Sequence, residues 1–201
     1  MQAIVFFVGQ VLISNTDILL VKHFFTPESA GLYAAVALVG RVVYFASWMV
    51  VSAMFPISAG AKQEESTKNI LAVPILFVLT LTGGFILVLS AFPEVVLHLV
   101  FGRMFTAGAG LDSLLALYAA TAGIYSLSVV LIAYEMSRKI ANTGWWQLAF
   151  SAAIVTGIYL FHATLRDVIL VQLVFMLALL AVVALPFLRR TPPALRQQEA
   201  A

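Results

Sequence analysis

No cysteine occurs among the 201 residues. Disulfides, thiolate metal sites and cysteine nucleophiles are thereby excluded together. Charge is nearly as scarce, since only 10% of the residues are Asp, Glu, Lys or Arg, against about 25% in a soluble domain of ordinary composition. The basic residues are spread through short polar segments, so no nucleic-acid surface forms. A HExxH pair, a Gly-rich phosphate loop and a nucleophile elbow are all missing from the sequence. One adjacent carboxylate pair, Glu64-Glu65, sits in a polar stretch where charge meets water. This pattern predicts neither an enzyme nor a bound cofactor.

What the chain has in quantity is hydrocarbon. Hydrophobic residues make up 63% of it, and its mean hydropathy is +1.05. A single globular core of this size cannot hide that much apolar surface, so the bilayer must solvate the remainder. Six apolar segments follow, at about 3–24, 30–58, 70–92, 111–134, 145–161 and 168–188. Each is near the ~20 residues that cross a hydrocarbon core as a helix. None shows the alternating ten-residue pattern of a barrel strand, and a backbone in lipid must satisfy its own hydrogen bonds. The expectation is an all-α integral membrane protein whose residues 1–188 form one lobe of six transmembrane helices. The tail at 189–201, with Pro192 and Pro193, has a disordered composition.

Local signals refine this picture. The N-terminal run lacks a basic n-region and a small-residue cleavage site, and reads as a retained span. The second span is long enough to need tilt or a kink, with Pro56 near its far end. Pro74 is expected to kink the third span near its start. Gly83-Gly84 predicts close packing or a bend. Between the third and fourth spans, Glu94 and His98 lie four apart among valines and leucines. That segment suits a short amphipathic helix in the outer interface, stopped by Gly102. Lys62, Lys68, Arg138, Lys139, Arg189, Arg190 and Arg196 fall on one side of the membrane, against Lys22, Arg103 and Arg166 on the other. The positive-inside bias puts both termini in the cytoplasm, with Trp145 and Trp146 as anchors on that side.

Polar residues inside the spans carry the functional information. An unpaired charge at the bilayer centre costs ~2.5–3.5 kcal/mol on insertion scales, so charged faces should turn inward. Gln10, Ser14 and Asp17 share one face of the first helix. Tyr33, Arg41, Tyr44 and Trp48 share one face of the second. At 1.5 Å per residue Asp17 lies ~12 Å and Arg41 ~16 Å below the outer boundary. A Coulombic pair between these antiparallel neighbours is therefore geometrically reasonable. Two readings stand: a structural clamp, or a cationic site in a water-filled cavity that meets an anionic group while Asp17 tunes or releases it. The guanidinium fork suits phosphate, and the aromatic face suits sugar rings. Tyr118, Thr121, Tyr125 and Ser128 give the fourth span a polar seam, read as helix–helix hydrogen bonding. The sixth span, with only Gln172 in its middle, is expected to face lipid. His23, His98 and His162 fall near the outer boundary without helical pairing, which favours interfacial solvation over metal binding.

The run Asn15-Thr16-Asp17-Ile18-Leu19-Leu20-Val21, followed by Ala30-Gly31-Leu32-Tyr33-Ala34-Ala35, resembles the polysaccharide-biosynthesis flippases. Phe55-Pro56-Ile57-Ser58 continues the likeness, as do Leu99-Val100-Phe101-Gly102 and Phe105. It covers most of the chain and weakens after Trp146. The superfamily also holds multidrug and toxin extrusion transporters and the lipid II flippase. The resemblance implies one lobe of an inverted V-shaped exporter fold, in which two six-helix lobes enclose a cavity open alternately to each side. This chain has about half the usual length and looks like the second lobe. The implied cargo is an undecaprenyl-linked oligosaccharide carried across a bacterial inner membrane, with Asp17, Arg41 and Tyr44 at the cavity. Implied partners are membrane lipid and a second six-helix lobe or a second copy of the chain. The alternatives are a non-transporting membrane assembly subunit or truncated half-transporter, and a cation-coupled multidrug exporter.

Overall fold

The computed structural model describes residues 2–60, 67–102, 111–138 and 144–189. These form eight helices: α1 (Gln2–Phe24), α2 (Pro27–Gly40), α3 (Val42–Gly60), α4 (Thr67–Ala91), α5 (Pro93–Phe101), α6 (Leu111–Ser137), α7 (Gly144–Leu160) and α8 (Leu165–Arg189). No strand occurs among the described residues. Among the described residues five stretches are long and apolar enough to cross a membrane: Ile4–Phe24, Pro27–Gly60, Ile70–Ala91, Ser113–Ser137 and Leu165–Phe187. The chain is thus an all-helical, multi-pass membrane protein by length and composition. The expected sixth crossing corresponds to α7. Its 17 residues span only ~26 Å at 1.5 Å each, short of a ~30 Å hydrocarbon core.

The turn from α1 to α2 is set by local chemistry. Thr26 caps α2, its hydroxyl accepting the Ser29 amide at 3.4 Å, and Pro27 occupies the first turn. Proline fits there because its missing N–H has no helical partner to lose. The second span needs the interruption that its length implied, since 34 residues would extend ~51 Å as one straight helix. Its site is Arg41 rather than Pro56. There ψ is −12°, whereas a helix holds about −42°. The Arg41 N–H still donates to the Ala37 carbonyl and the Phe45 N–H to the Arg41 carbonyl, both at 3.0 Å. α2 therefore runs into α3 with little loss of hydrogen bonding.

α6 is the central post, packed against α2, α3, α4 and α8, while α1 pairs chiefly with α7. Enclosure follows from this: 72% of the apolar window in α6 is buried, against 17% in α4. The outward face of α4 carries Val73, Leu76, Leu79 and Leu87. Glycine works at the contacts of α6 rather than where the paired glycines stand. A Cβ on Gly83 or Gly84 would meet open space, so the close packing expected there is absent. A Cβ on Gly123 would instead strike the Thr82 side chain, and one on Gly40 would strike the Tyr118 ring.

Two further expectations change. α8 does not simply face lipid, because Val168, Ile169, Gln172, Met176, Leu179 and Val183 form a buried stripe at helical spacing. The short amphipathic helix does form, as α5, burying Leu97 while Val95 and Leu99 stay exposed. Gly102 ends it at φ 83°, a conformation open to glycine because it lacks a Cβ. His23 and His98 are exposed, and His162 stacks on Phe24 with ring centroids 4.0 Å apart. The segment from Lys62 to Ser66, Arg103, Phe105, Lys139 and the tail from Arg190 lie outside the described residues.

Candidate functional site: a buried ionic cluster

The spacing of polar residues along α1 places Gln10, Ser14 and Asp17 toward the bundle, with Gln10 and Asp17 buried. The Asp17 side chain is fully enclosed, and Arg41 is 14% exposed. Arg41 Nη2 donates to Asp17 Oδ1 at 2.9 Å. The other carboxylate oxygen, Oδ2, accepts from Tyr33 Oη at 3.0 Å and from Tyr118 Oη at 2.8 Å. Arg41 Nε in turn donates to the Tyr118 oxygen at 3.1 Å. Three segments of chain (α1, the α2–α3 junction and α6) therefore meet at one carboxylate.

Each partner is needed for this arrangement to persist in a dry interior. Desolvating both ions costs several kcal/mol per ion, which attraction offsets only when the remaining lone pairs and protons are also bonded. Two tyrosine hydroxyls complete the carboxylate shell. The interruption at Arg41 and the bare backbone at Gly40 let the Tyr118 ring reach between the helices. Arg41 Nη1 makes no protein hydrogen bond among the described residues.

Arg41 also lines a cavity of about 30 Å³ with Ser14, Tyr44, Thr121, Tyr125 and Gln172. That volume admits a water or two, since one probe sphere needs ~10–15 Å³. A sugar ring does not fit. The second-helix stripe thus divides. Tyr33 is 1% exposed and serves the carboxylate. Tyr44 stacks on Tyr125 at 5.5 Å and walls the cavity. Trp48 lies farther along, stacked on Phe6 at 6.3 Å and on Tyr44 at 6.5 Å. All five candidates, Asp17, Tyr33, Arg41, Tyr44 and Trp48, are brought together along one track, but only three of them touch in the ionic cluster.

No protein-family model matches this chain, and no curated protein or solved structure matches it either. The family resemblance accordingly rests on the quoted residues. Among the described residues no group of three or more His, Asp or Glu side chains is placed to hold a metal ion.

Two residues of α6 were outside the sequence-derived site. Tyr118 was assigned to a helix–helix seam; it does bridge helices, but through the ions themselves. Glu135 lies beyond the expected span end at Tyr134, yet it is 1% exposed and falls within the apolar stretch Ser113–Ser137. The signal was present: Tyr118, Thr121, Tyr125, Ser128 and Glu135 follow one helical stripe. They cover ~26 Å of axis at 1.5 Å per residue. Near the lower end, Ser137 Oγ is 2.7 Å from Ser58 Oγ, and Arg138 Nη1 donates to the Ser58 carbonyl at 3.4 Å. Midway, Gln147 Nε2 donates to Tyr125 Oη at 3.0 Å. Of the expected seam, Tyr118 and Tyr125 bond across helices, whereas the Thr121 and Ser128 hydroxyls donate to Leu117 and Ile124 of their own helix.

Proposed function

We propose that this chain is a lobe of a bacterial inner-membrane flippase that moves a lipid-linked, anionic oligosaccharide outward by alternating access. The reading is carried by one observation: among the described residues Arg41 Nη1 has no hydrogen-bond partner, and the side chain lines a small cavity with Ser14, Tyr44, Thr121, Tyr125 and Gln172. A guanidinium so placed can accept phosphate through its fork, while the lipid tail of the cargo stays in the bilayer. The 30 Å³ cavity then belongs to a closed state, and cargo entry requires α8 to move away from the cavity beside Arg41. Rocking of one lobe against another is the general means of such opening. The resemblance around Asp17, Tyr33 and Pro56 supports the choice of cargo class.

The second reading, a non-transporting membrane subunit, is favoured by the same cluster seen from Asp17. Its carboxylate is saturated by three donors, as a purely structural clamp would be. The cation-coupled drug exporter is disfavoured because a cationic centre repels cationic cargo.

Arg41→Lys and Arg41→Ala separate the first two readings. In cells whose surface polysaccharide depends on this gene, export should fall at least tenfold in Arg41→Ala and remain impaired in Arg41→Lys, because a point charge lacks the fork. Protein level and melting should be followed in parallel. Full export by both variants removes Arg41 from transport, and loss of folding in proportion to loss of export leaves the clamp as its whole role.

A further inference from the structure

The outward face of α1 is aliphatic except for one amide, Asn15. Ile4, Val8, Val11, Asn15 and Leu19 are all exposed, at spacings of four, three, four and four. Residues so spaced share one face of the helix. Asn15 stands nine residues from the end of α1 at Phe24, or ~14 Å along the axis. In a ~30 Å hydrocarbon core that is the midplane, the most costly depth for an uncovered amide. Its Nδ2 donates to the Val11 carbonyl at 2.9 Å, which satisfies one proton and leaves the carbonyl oxygen and the second N–H facing out. Asn15 and Asp17 are two positions apart, a rotation of ~200° at 3.6 residues per turn. The amide therefore points away from the ionic cluster, on the far side of the helix.

A partner covering this face must offer both a donor and an acceptor at the same depth. A second copy of the chain, inserted in the same orientation, does so by construction. Across a two-fold axis along the membrane normal, each Asn15 presents an amide N–H and a carbonyl oxygen to the other. The surface is self-complementary, as an isologous interface requires. The apolar seam residues of the two copies then pack above and below the amide pair. Lys22 continues the stripe only at the membrane boundary, where water and head groups screen the like charges.

We infer that the chain forms a parallel homodimer through α1, held in register by Asn15 pairing with Asn15 at the bilayer midplane. This assignment does not depend on the transported cargo. It names a second copy, rather than a different protein, as the neighbour of this lobe.

Because the sequence has no cysteine, a single introduced cysteine reports its own neighbourhood. Oxidative cross-linking in native membranes should join chains through Val8→Cys, Val11→Cys and Leu19→Cys. Cysteines at Leu76 or Leu87, on the outward face of α4, should not cross-link. Asn15→Leu should weaken dimerisation about tenfold in a lipid-dilution energy-transfer titration, Asn15→Gln should weaken it less, and the thermal melt should be unchanged in both. Equal association of wild type and Asn15→Leu, cross-linking as efficient on α4 as on α1, or a wild-type chain that is monomeric in the bilayer would each overturn the dimer.

Discussion

Replacing Asp17 with alanine strips the guanidinium of Arg41 of its counter-charge. One hydrogen bond remains to it, from Nε to the Tyr118 oxygen. Removing one member of a buried ion pair costs about 3–5 kcal/mol, because the other charge is left uncompensated in a dry interior. Arg41 retains 14% exposure, so water in the adjoining cavity can relieve part of this, and the lower end of the range is expected. Arg41→Ala leaves Asp17 with two hydroxyl donors and a net buried charge, for a loss of similar size. The double variant removes both charges together, so its cost should fall short of the sum by about 2–3 kcal/mol. Tyr118→Phe tests the third corner. It deletes one donor to the carboxylate and one acceptor from the guanidinium, and bonds to charged groups contribute about 1.5–3 kcal/mol each. Reversible unfolding in mixed micelles, followed by tryptophan fluorescence, gives all four stabilities. Additive losses from Asp17→Ala and Arg41→Ala would refute the coupled cluster and with it the energetic argument made for the site.

Gly40→Ala should destabilise by about 1–3 kcal/mol, since the new methyl overpacks against the Tyr118 ring. Gly84→Ala should be neutral or stabilise by up to about 1 kcal/mol, because open space surrounds it and alanine costs less helix entropy; the same unfolding assay ranks the two, and the reverse order would refute the packing described. Single cysteines at Arg138 and Arg166, the first just past α6 and the second in α8, decide whether α7 crosses the bilayer. An impermeant thiol reagent applied from outside should label only Arg166→Cys if α7 crosses, and labelling of both from one side leaves five crossings.

Much of the site was legible because helical geometry is a simple code. Asp17 and Arg41 announced themselves as charges in apolar runs, and the three- and four-residue spacings placed Tyr33 and Tyr44 on the inward face. Tyr118 could be read as bridging helices but not as touching ions, because its partners lie 101 and 77 positions away in sequence. Glu135 falls one residue past the expected end of the fourth span, and the stripe through Tyr125 and Ser128 is the better guide to it. Gly83-Gly84 misled for a related reason. Paired glycines mark freedom of approach, but only a neighbouring helix decides whether anything approaches, and that neighbour chose Gly123. The α8 stripe was hidden because leucine, isoleucine and valine serve equally against protein and against lipid.

The cavity beside Arg41 has a consequence for how any occupant would be noticed. Two of its lining residues, Gln172 and Met176, come from α8, which shares no bond with the carboxylate. An anion arriving at Nη1 need not evict Asp17; it has to displace that outer wall. Loading would thus register as a swing of the last helix while the first three stay latched, and a spin label on Val174 would move before one on Leu19.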